Sequence, residues 1–143
     1  MAVHETIDVR STTREELIDI TRLVRDAIRN TGVTSGLAVV FVPHTTAAIA
    51  LQENSDPSVK SDMLSHLRAL VPRDVGSGRH ADDNVDAHIK AAIVGQSLTV
   101  VVDGGKPVLG QWQAVFFCEF DGPRQRRVLV RAVADAAPRR AAP

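Results

Sequence analysis

Between positions 79 and 90 the chain reads Arg79-His80-Ala81-Asp82-Asp83-Asn84-Val85-Asp86-Ala87-His88-Ile89-Lys90, where Val85 and Ile89 are the only large apolar residues. The rest of this stretch can bind a proton, a metal or a phosphate. His80 and His88 are two of the five histidines in the chain. A third, His44, directly follows Val42-Pro43 at the end of an apolar run, with the hydroxyls of Thr45 and Thr46 beside it. If the loop folds His80 back, then His44, His80 and His88 make a three-histidine set for a divalent ion, zinc or magnesium, with a coordination position left open. The nearby carboxylates would orient the imidazoles. For Asp82, Asp83 and Asp86 the competing reading is a solvated helix start favoured by the helix dipole.

Three further groups carry candidate chemistry. In 112–120 side chains alternate between faces, so Trp112, Ala114, Phe116, Cys118 and Phe120 share one side and Gln113, Val115, Phe117 and Glu119 the other. Glu119 is then either a carboxylate on a pocket floor, able to act as acid or base, or a strand-end group reaching water. Gln113 lies on the same face. In Leu51-Gln52-Glu53-Asn54-Ser55-Asp56-Pro57, helix capping explains Asp56 but leaves Glu53 and Asn54 over, near backbone N–H groups that favour anions. Arg124, Arg126 and Arg127 follow Gly122-Pro123 and read as a solvated turn or as a phosphate clamp. The candidate catalytic set is His44, His80, His88 and Glu119. The candidate phosphate- or substrate-binding set is Thr45, Asn54, Lys90, Gln113, Arg124 and Arg127. Cys118, between two phenylalanines on one strand face, reads as a buried core thiol, and His4 and His66 as surface or structural residues.

These residues need elements to position them. Residues 3–10 read as a first strand. Thr12-Thr13-Arg14-Glu15-Glu16 is a capping-box signal, and Leu17, Ile20, Leu23, Val24, Ala27 and Ile28 follow at helical spacing, closed by Gly32. The run 36–43 reads as a strand buried on both faces, and 47–51 as a second short apolar run. Asp56-Pro57 opens a helix whose buried face is Val59, Met63, Leu64, Leu67, Leu70 and Val71, stopped by Pro72. Residues 72–83 read as a loop and 84–94 as a shorter helix, with Val85, Ile89, Ala92 and Ile93 inward and His88 at the edge of that face. Asp86 and Lys90, spaced i, i+4, give it modest support. Strands follow at 97–102, 112–120 and 127–133, with turns at Asp103-Gly104-Gly105 and Asp121-Gly122-Pro123 and the last strand partnering the one before it.

With 143 residues, the chain has the length of one domain with a substantial core. Its 17 basic and 17 acidic side chains balance, so any anion site has to be local. Aromatic residues make up 3% and tyrosine is absent, which argues against a stacking platform for single-stranded nucleic acid. One cysteine excludes an internal disulfide and a cysteine-rich zinc site. We read no signal peptide and no apolar stretch near the roughly 18–20 residues a membrane helix needs, so a cytoplasmic protein without nucleic-acid or membrane partners is expected. The domain is expected over 1–133 and a disordered tail, rich in alanine, proline and arginine, over 134–143.

The ordered set of motifs His44-Thr45-Thr46-Ala47-Ala48, Glu53-Asn54-Ser55-Asp56-Pro57, Leu70-Val71-Pro72, Arg79-His80, Asn84, Ala87-His88-Ile89-Lys90-Ala91, Gly110-Gln111-Trp112-Gln113, Phe117-Cys118-Glu119-Phe120-Asp121-Gly122-Pro123-Arg124 and Arg127-Val128 resembles the YjbQ family. The resemblance runs over nearly all of residues 3–133. It implies a single compact α+β domain with a mostly antiparallel, β-sandwich-like core and about three helices. It also implies a homotrimer, with a histidine- and acid-lined pocket near the subunit interface. The activity it implies is a secondary thiamine-phosphate synthase reaction, joining a pyrimidine methyl diphosphate to a thiazole phosphate with release of diphosphate. A metal-dependent hydrolase of a phosphate or carboxylic ester is the first alternative, and a non-catalytic trimeric protein binding a metal or metabolite is the second. Gln111 stands where the family usually has threonine, Gly78 where it has an aromatic residue, and Asp82-Asp83 where it has Glu-Gly. The first two bear on pocket shape and the third on local charge.

Overall fold

The computed structural model describes residues 4–73 and 83–137. Strand β1 is Glu5–Arg10, β2 is Glu16–Asp19, β3 is Ser35–Phe41, β4 is Ala47–Glu53 and β5 is Ser97–Asp103. The two-residue β6 is Lys106–Pro107, β7 is Gln113–Glu119 and β8 is Gln125–Ala134. The helices are α1 at Thr21–Thr31, α2 at Pro57–Leu70 and α3 at Val85–Val94. The strands make two antiparallel sheets, ordered β1-β8-β3-β5-β6 and β2-β7-β4. This is a single α+β domain with a sandwich-like core.

The alternation along β7 sorts the core into two layers. Val115 and Phe117 face the larger sheet, where they meet Ile7, Val9, Ala38, Val40, Val128 and Val130, with Val24, Ala27 and Ile28 of α1 in the same cluster. Ala114, Phe116, Cys118 and Phe120 face the other way, against Ala87 and Ala91 of α3 and the half-buried Met63, Leu64 and Leu67 of α2. Burial pushes the Cys118 thiol up to about 12, as fits a core residue.

Several expectations change. Residues 16–19 form strand β2, paired with β7, and helix α1 starts only at Thr21. Thr12 does meet Glu16, donating its backbone N–H and hydroxyl to Oε1 at 3.1 and 3.0 Å, but this closes a loop before the strand. The N-cap of α1 is Ile20, which offers no side-chain cap, and Asp19 just before it accepts the Thr21 N–H on Oδ1 at 2.9 Å. Gly32 ends the helix at φ 77, a conformation that suits a residue without Cβ. Strand β3 is buried on one face only, leaving Leu37, Val39 and Phe41 exposed. Helix α2 begins as expected, with Asp56 Oδ1 accepting the Ser58 N–H at 2.9 Å, yet it buries no residue fully and Leu70 is 69% exposed.

The largest difference is in α3. Its buried face is Asp86, Ala87, Lys90 and Ala91, while Ile89 and Ile93 point outward. A network of charges turns the helix. Arg14 Nη1 and Nη2 donate to Asp86 Oδ2 and Oδ1 at 3.1 and 2.9 Å, and Lys90 Nζ donates to Asp86 Oδ2 at 2.9 Å and to Glu15 Oε2 at 3.0 Å. Arg68 of α2 closes the chain on Glu15 Oε1 at 2.6 Å. Burial alone would raise the Asp86 carboxyl, but Arg14 and Lys90 outweigh it and hold it at about 2.

Strands β7 and β8 do not partner each other: the chain crosses from one sheet to the other through 120–124. The expected tail loses its first residues to the fold, since Ala134 ends β8, Asp135 N–H donates to the Ser35 carbonyl at 2.9 Å, and the Asp135 carboxylate accepts the Ser35 hydroxyl at 2.6 Å.

Candidate functional site

The crossing from β7 to β8 lies beside the turn from β3 to β4 and the start of α3. Together they enclose a polar cavity of about 430 Å³, lined by Pro43, His44, Thr45 and Thr46 from the first turn, Asn84 and His88 from α3, and Asp121, Arg124 and Arg126 from the crossing. His44, His88, Thr45 and Arg124 are thus brought to one place. His80 lies outside the described residues.

Beneath the cavity a buried ion pair joins the two sheets. Glu119 ends β7, and its Oε1 accepts Arg126 Nε–H at 2.9 Å and the Ser11 hydroxyl at 2.6 Å. Its Oε2 accepts Arg126 Nη2–H at 2.5 Å and the Asp121 N–H at 3.3 Å. Arg126 Nη2 also donates to Thr46 Oγ1 at 2.8 Å. Ser11 Oγ accepts the Arg124 N–H at 2.8 Å, tying the crossing to the residue after β1. Gly122 fits here because it has no side chain: a Cβ would collide with the Thr13 carbonyl oxygen and meet Ser11 Oγ at 2.6 Å and Glu119 Cγ at 2.9 Å. Glu119 is therefore corrected from a pocket-floor acid or base to a positioning residue, its carboxylate engaged by donors on both oxygens.

His44 is set by a backbone contact. Its Nε2 accepts the Arg127 N–H at 3.0 Å. A ring nitrogen that accepts a hydrogen bond carries no proton, so the neutral ring holds its hydrogen on Nδ1 and is a donor there. Burial, followed by the nearby Arg126 charge, lowers the His44 pKa below its ordinary value and favours that neutral form. Asp121 Oδ2 accepts Asn84 Nδ2 at 2.7 Å and Arg124 Nη2 at 3.0 Å. Asn84 Oδ1 is buried with no hydrogen-bond partner, a cost that a donor placed there would offset. Asn84 stands at the N-cap of α3, so the positive end of that helix adjoins the cavity.

Other expected ligands lie elsewhere. Asn54 donates to Asp19 Oδ2, and Gln113 Oε1 accepts the Gly110 N–H at 2.8 Å. Glu53 pairs with Gln113 and Ala47 with Glu119, so Asn54 and Gln113 are at the opposite end of the β4–β7 ladder. Six residues of strand put that end roughly 20 Å away. Lys90 is 1% exposed and committed to Asp86 and Glu15, a structural cation in place of the expected phosphate ligand. Arg127 contributes its backbone N–H and carries an exposed side chain, whereas Arg126 lines the cavity. Period-two alternation contains that signal: Arg126 shares a face with the core residues Val128 and Val130. Ser11 and Asp121 had no comparable signal, because turn residues of their type are common.

Among the described residues no group of three His, Cys, Asp or Glu side chains could hold a metal ion. A metal on His44 Nε2 would have to displace the Arg127 N–H, and one on Nδ1 would have to displace its proton.

A two-sheet α+β sandwich with a polar, arginine- and histidine-lined pocket where the chain changes sheets is the class these features define. The chain belongs to the YjbQ family: the family model described as UPF0047 protein YjbQ-like matches residues 5–135. It is 47% identical over 127 residues to the UPF0047 protein MJ1081 of Methanocaldococcus jannaschii, covering 89% of this chain and 91% of that protein. It is 45% identical to the UPF0047 protein YugU of Bacillus subtilis, covering 89% and 96%. Among solved structures, it resembles an uncharacterized conserved protein of the same family from Clostridium acetobutylicum, with TM-score 0.85, 43% identity and coverage of 90% and 99%. A YbjQ-like protein of unknown function from Sulfolobus solfataricus superposes with TM-score 0.86 at 32% identity, covering 92% and 96%.

These findings correct the expected activity. The relatives are described as uncharacterized or of unknown function, so family membership carries the fold and no reaction. The thiamine-phosphate synthase reading falls on that finding. The ester-hydrolase alternative falls with it, since no relative is described with that activity. No helix among the described residues is long and apolar enough to cross a membrane.

Proposed function

We propose that the cavity between His44, His88 and Arg124 recognises a small phosphorylated metabolite through its phosphate. The observation behind this reading is that His44, Thr45, Arg124 and Arg126, all able to donate, line one cavity, with Asp121 the one carboxylate among its lining residues. Guanidinium groups suit phosphate oxygens, and a neutral histidine can add one further N–H donor. Arg126 is held rigid by Glu119, so little side-chain freedom is lost when an anion binds. The expected zinc or magnesium ion is a subsidiary reading, favoured by the two imidazoles lining the same cavity.

We also propose that the chain works in the cytoplasm as a homotrimer. Support for assembly comes from two unlike apolar faces. One is the outer face of the five-stranded sheet, with Leu37, Val39, Phe41, Val101 and Val133 exposed. The other joins Ile89 and Ile93 of α3 to a groove between Met63, Leu67, Leu70 and Val94. Unlike faces on one chain suit a head-to-tail ring.

Titration calorimetry with inorganic phosphate tests the recognition reading. Binding is expected, weakened about tenfold or more in Arg124→Ala. An absence of binding, or equal affinity in the variant, overturns it. Adding zinc or magnesium to the same titration tests the metal, which predicts tighter phosphate binding.

A further inference from the structure

A second cavity lies at the other end of β3. Ser35 at the start of that strand pairs with Asp103, whereas Phe41 at its end pairs with Ser97, next to the His44 turn. The six-residue separation is roughly 20 Å. This cavity encloses about 260 Å³ and is lined by Arg25, Arg29, Gly32, Val33, Thr34, Gly104, Gly105 and Lys106.

Two elements distant in sequence build it. Arg25 and Arg29 are one helical turn apart on α1, so they share a face. The turn at Gly104 and Gly105, both at positive φ, brings Lys106 opposite them, and the Gly105 N–H donates to the Thr34 carbonyl at 3.0 Å. Gly32, Gly104 and Gly105 have nothing within 4 Å of where a Cβ would stand, so backbone forms that part of the wall and the space is open. Three cations line the cavity and no carboxylate does. Two acids adjoin these cations: Asp26 pairs with Arg29 Nη2 at 2.9 Å, and Asp103 is the register partner of Lys106 in the β5–β6 ladder. In a chain with 17 basic and 17 acidic residues, the lining of this cavity is locally cationic, with Arg29 shared with Asp26.

We infer that this cavity is a second anion site, specific for a polyphosphate group. The three cations stand on two elements, Arg25 and Arg29 on α1 and Lys106 after the Gly104-Gly105 turn, so a ligand with two linked phosphates can engage both. A diphosphate is such a ligand, its oxygens reaching Arg25 and Arg29 on one side and Lys106 on the other. The inference is independent of the reading of the first cavity, because it shares no residue with it.

The test is calorimetric titration of the full chain with inorganic diphosphate, carried out on Arg124→Ala so that the first cavity is disabled. Binding is expected to persist there. It should weaken about tenfold when Arg25→Ala or Lys106→Ala is added, recover in part with Arg25→Lys, and fall as salt rises. These side chains are exposed, so thermal stability should not change. ADP as a parallel probe separates two sources of the same chemistry: binding as tight as diphosphate identifies a nucleotide's diphosphate, and exclusion identifies the free anion. No diphosphate binding in Arg124→Ala, or affinity indifferent to Arg25→Ala and Lys106→Ala, overturns the inference.

Discussion

Replacing Asp86 with asparagine should destabilise the chain by about 3 kcal/mol, and the reason lies in what the carboxylate holds. Asp86 is 0% exposed and accepts from Arg14 twice and from Lys90 once. The network holds its carboxyl at about 2, against an ordinary 3.8. A shift of nearly two units corresponds to about 2 to 3 kcal/mol. The substitution also leaves Lys90 buried with Glu15 as its remaining carboxylate, and breaking a buried pair by removing one partner costs about 3–5 kcal/mol. Lys90→Met should cost a similar amount. Because the two residues act on each other, the double variant should be about 2 kcal/mol less destabilised than the sum of the singles. Urea unfolding at a fixed protein concentration measures all four proteins. The pH dependence gives a second reading with a definite sign. A carboxyl held below its unfolded pKa stabilises the fold fully above that pKa, here 3.8, and loses the contribution as pH falls toward 2. The gap between the parent and Asp86→Asn should therefore narrow from pH 5 to pH 2.5. Additive single effects, or a gap that does not change with pH, would refute the claim that charge turns this helix.

Three other predictions concern the pocket and the surface. At pH 7, nitrogen-detected NMR should show the His44 hydrogen on Nδ1; its pKa is depressed, so stability should be full above about 6.5 and decline below it, and an Nε2–H tautomer would contradict the assignment. Gly122→Ala should cost about 1–3 kcal/mol in urea unfolding and weaken phosphate binding, since the added methyl meets Ser11 and Glu119; full tolerance would show that the crossing has room. Phe41→Asp and Ile93→Glu should each lower the mass seen in sedimentation equilibrium, and a parent chain that sediments as a monomer would end the trimer reading.

Much of the site's frame could be read from residue order. The face alternation of β7 placed Cys118 and the phenylalanines correctly, and Asp56-Pro57 marked the start of α2 because capping is a local property. His44 was found through its position at a strand end. What escaped detection depends on contacts distant in sequence. Strand β2 hid behind a helical spacing of apolar residues that continues into α1, and only pairing with β7 decides its state. Helix α3 was read from its apolar residues, whereas Arg14 and Glu15, more than seventy positions away, determine which face is buried. Arg126 escapes the candidate set because its burial depends on a carboxylate partner at the end of another strand.

The inverted burial of α3 separates the molecule into parts that respond to different conditions. Between the two sheets the core is apolar apart from the buried Glu119–Arg126 pair. The helical layer over the second sheet is anchored differently, with α2 burying no residue fully and α3 held inward by Asp86 and Lys90 as well as two alanines. Hydrogen exchange is expected to show the amides of α2 and α3 opening together at a lower free energy than those of β3 or β7, the more so as acid removes the Asp86 pairs. Asn84 and His88 leave with this layer, so the cavity exists only while the layer is closed. A ligand bridging His44 and Arg124 to α3 acts as a latch between two cooperative units, and its affinity reports how often the layer is shut.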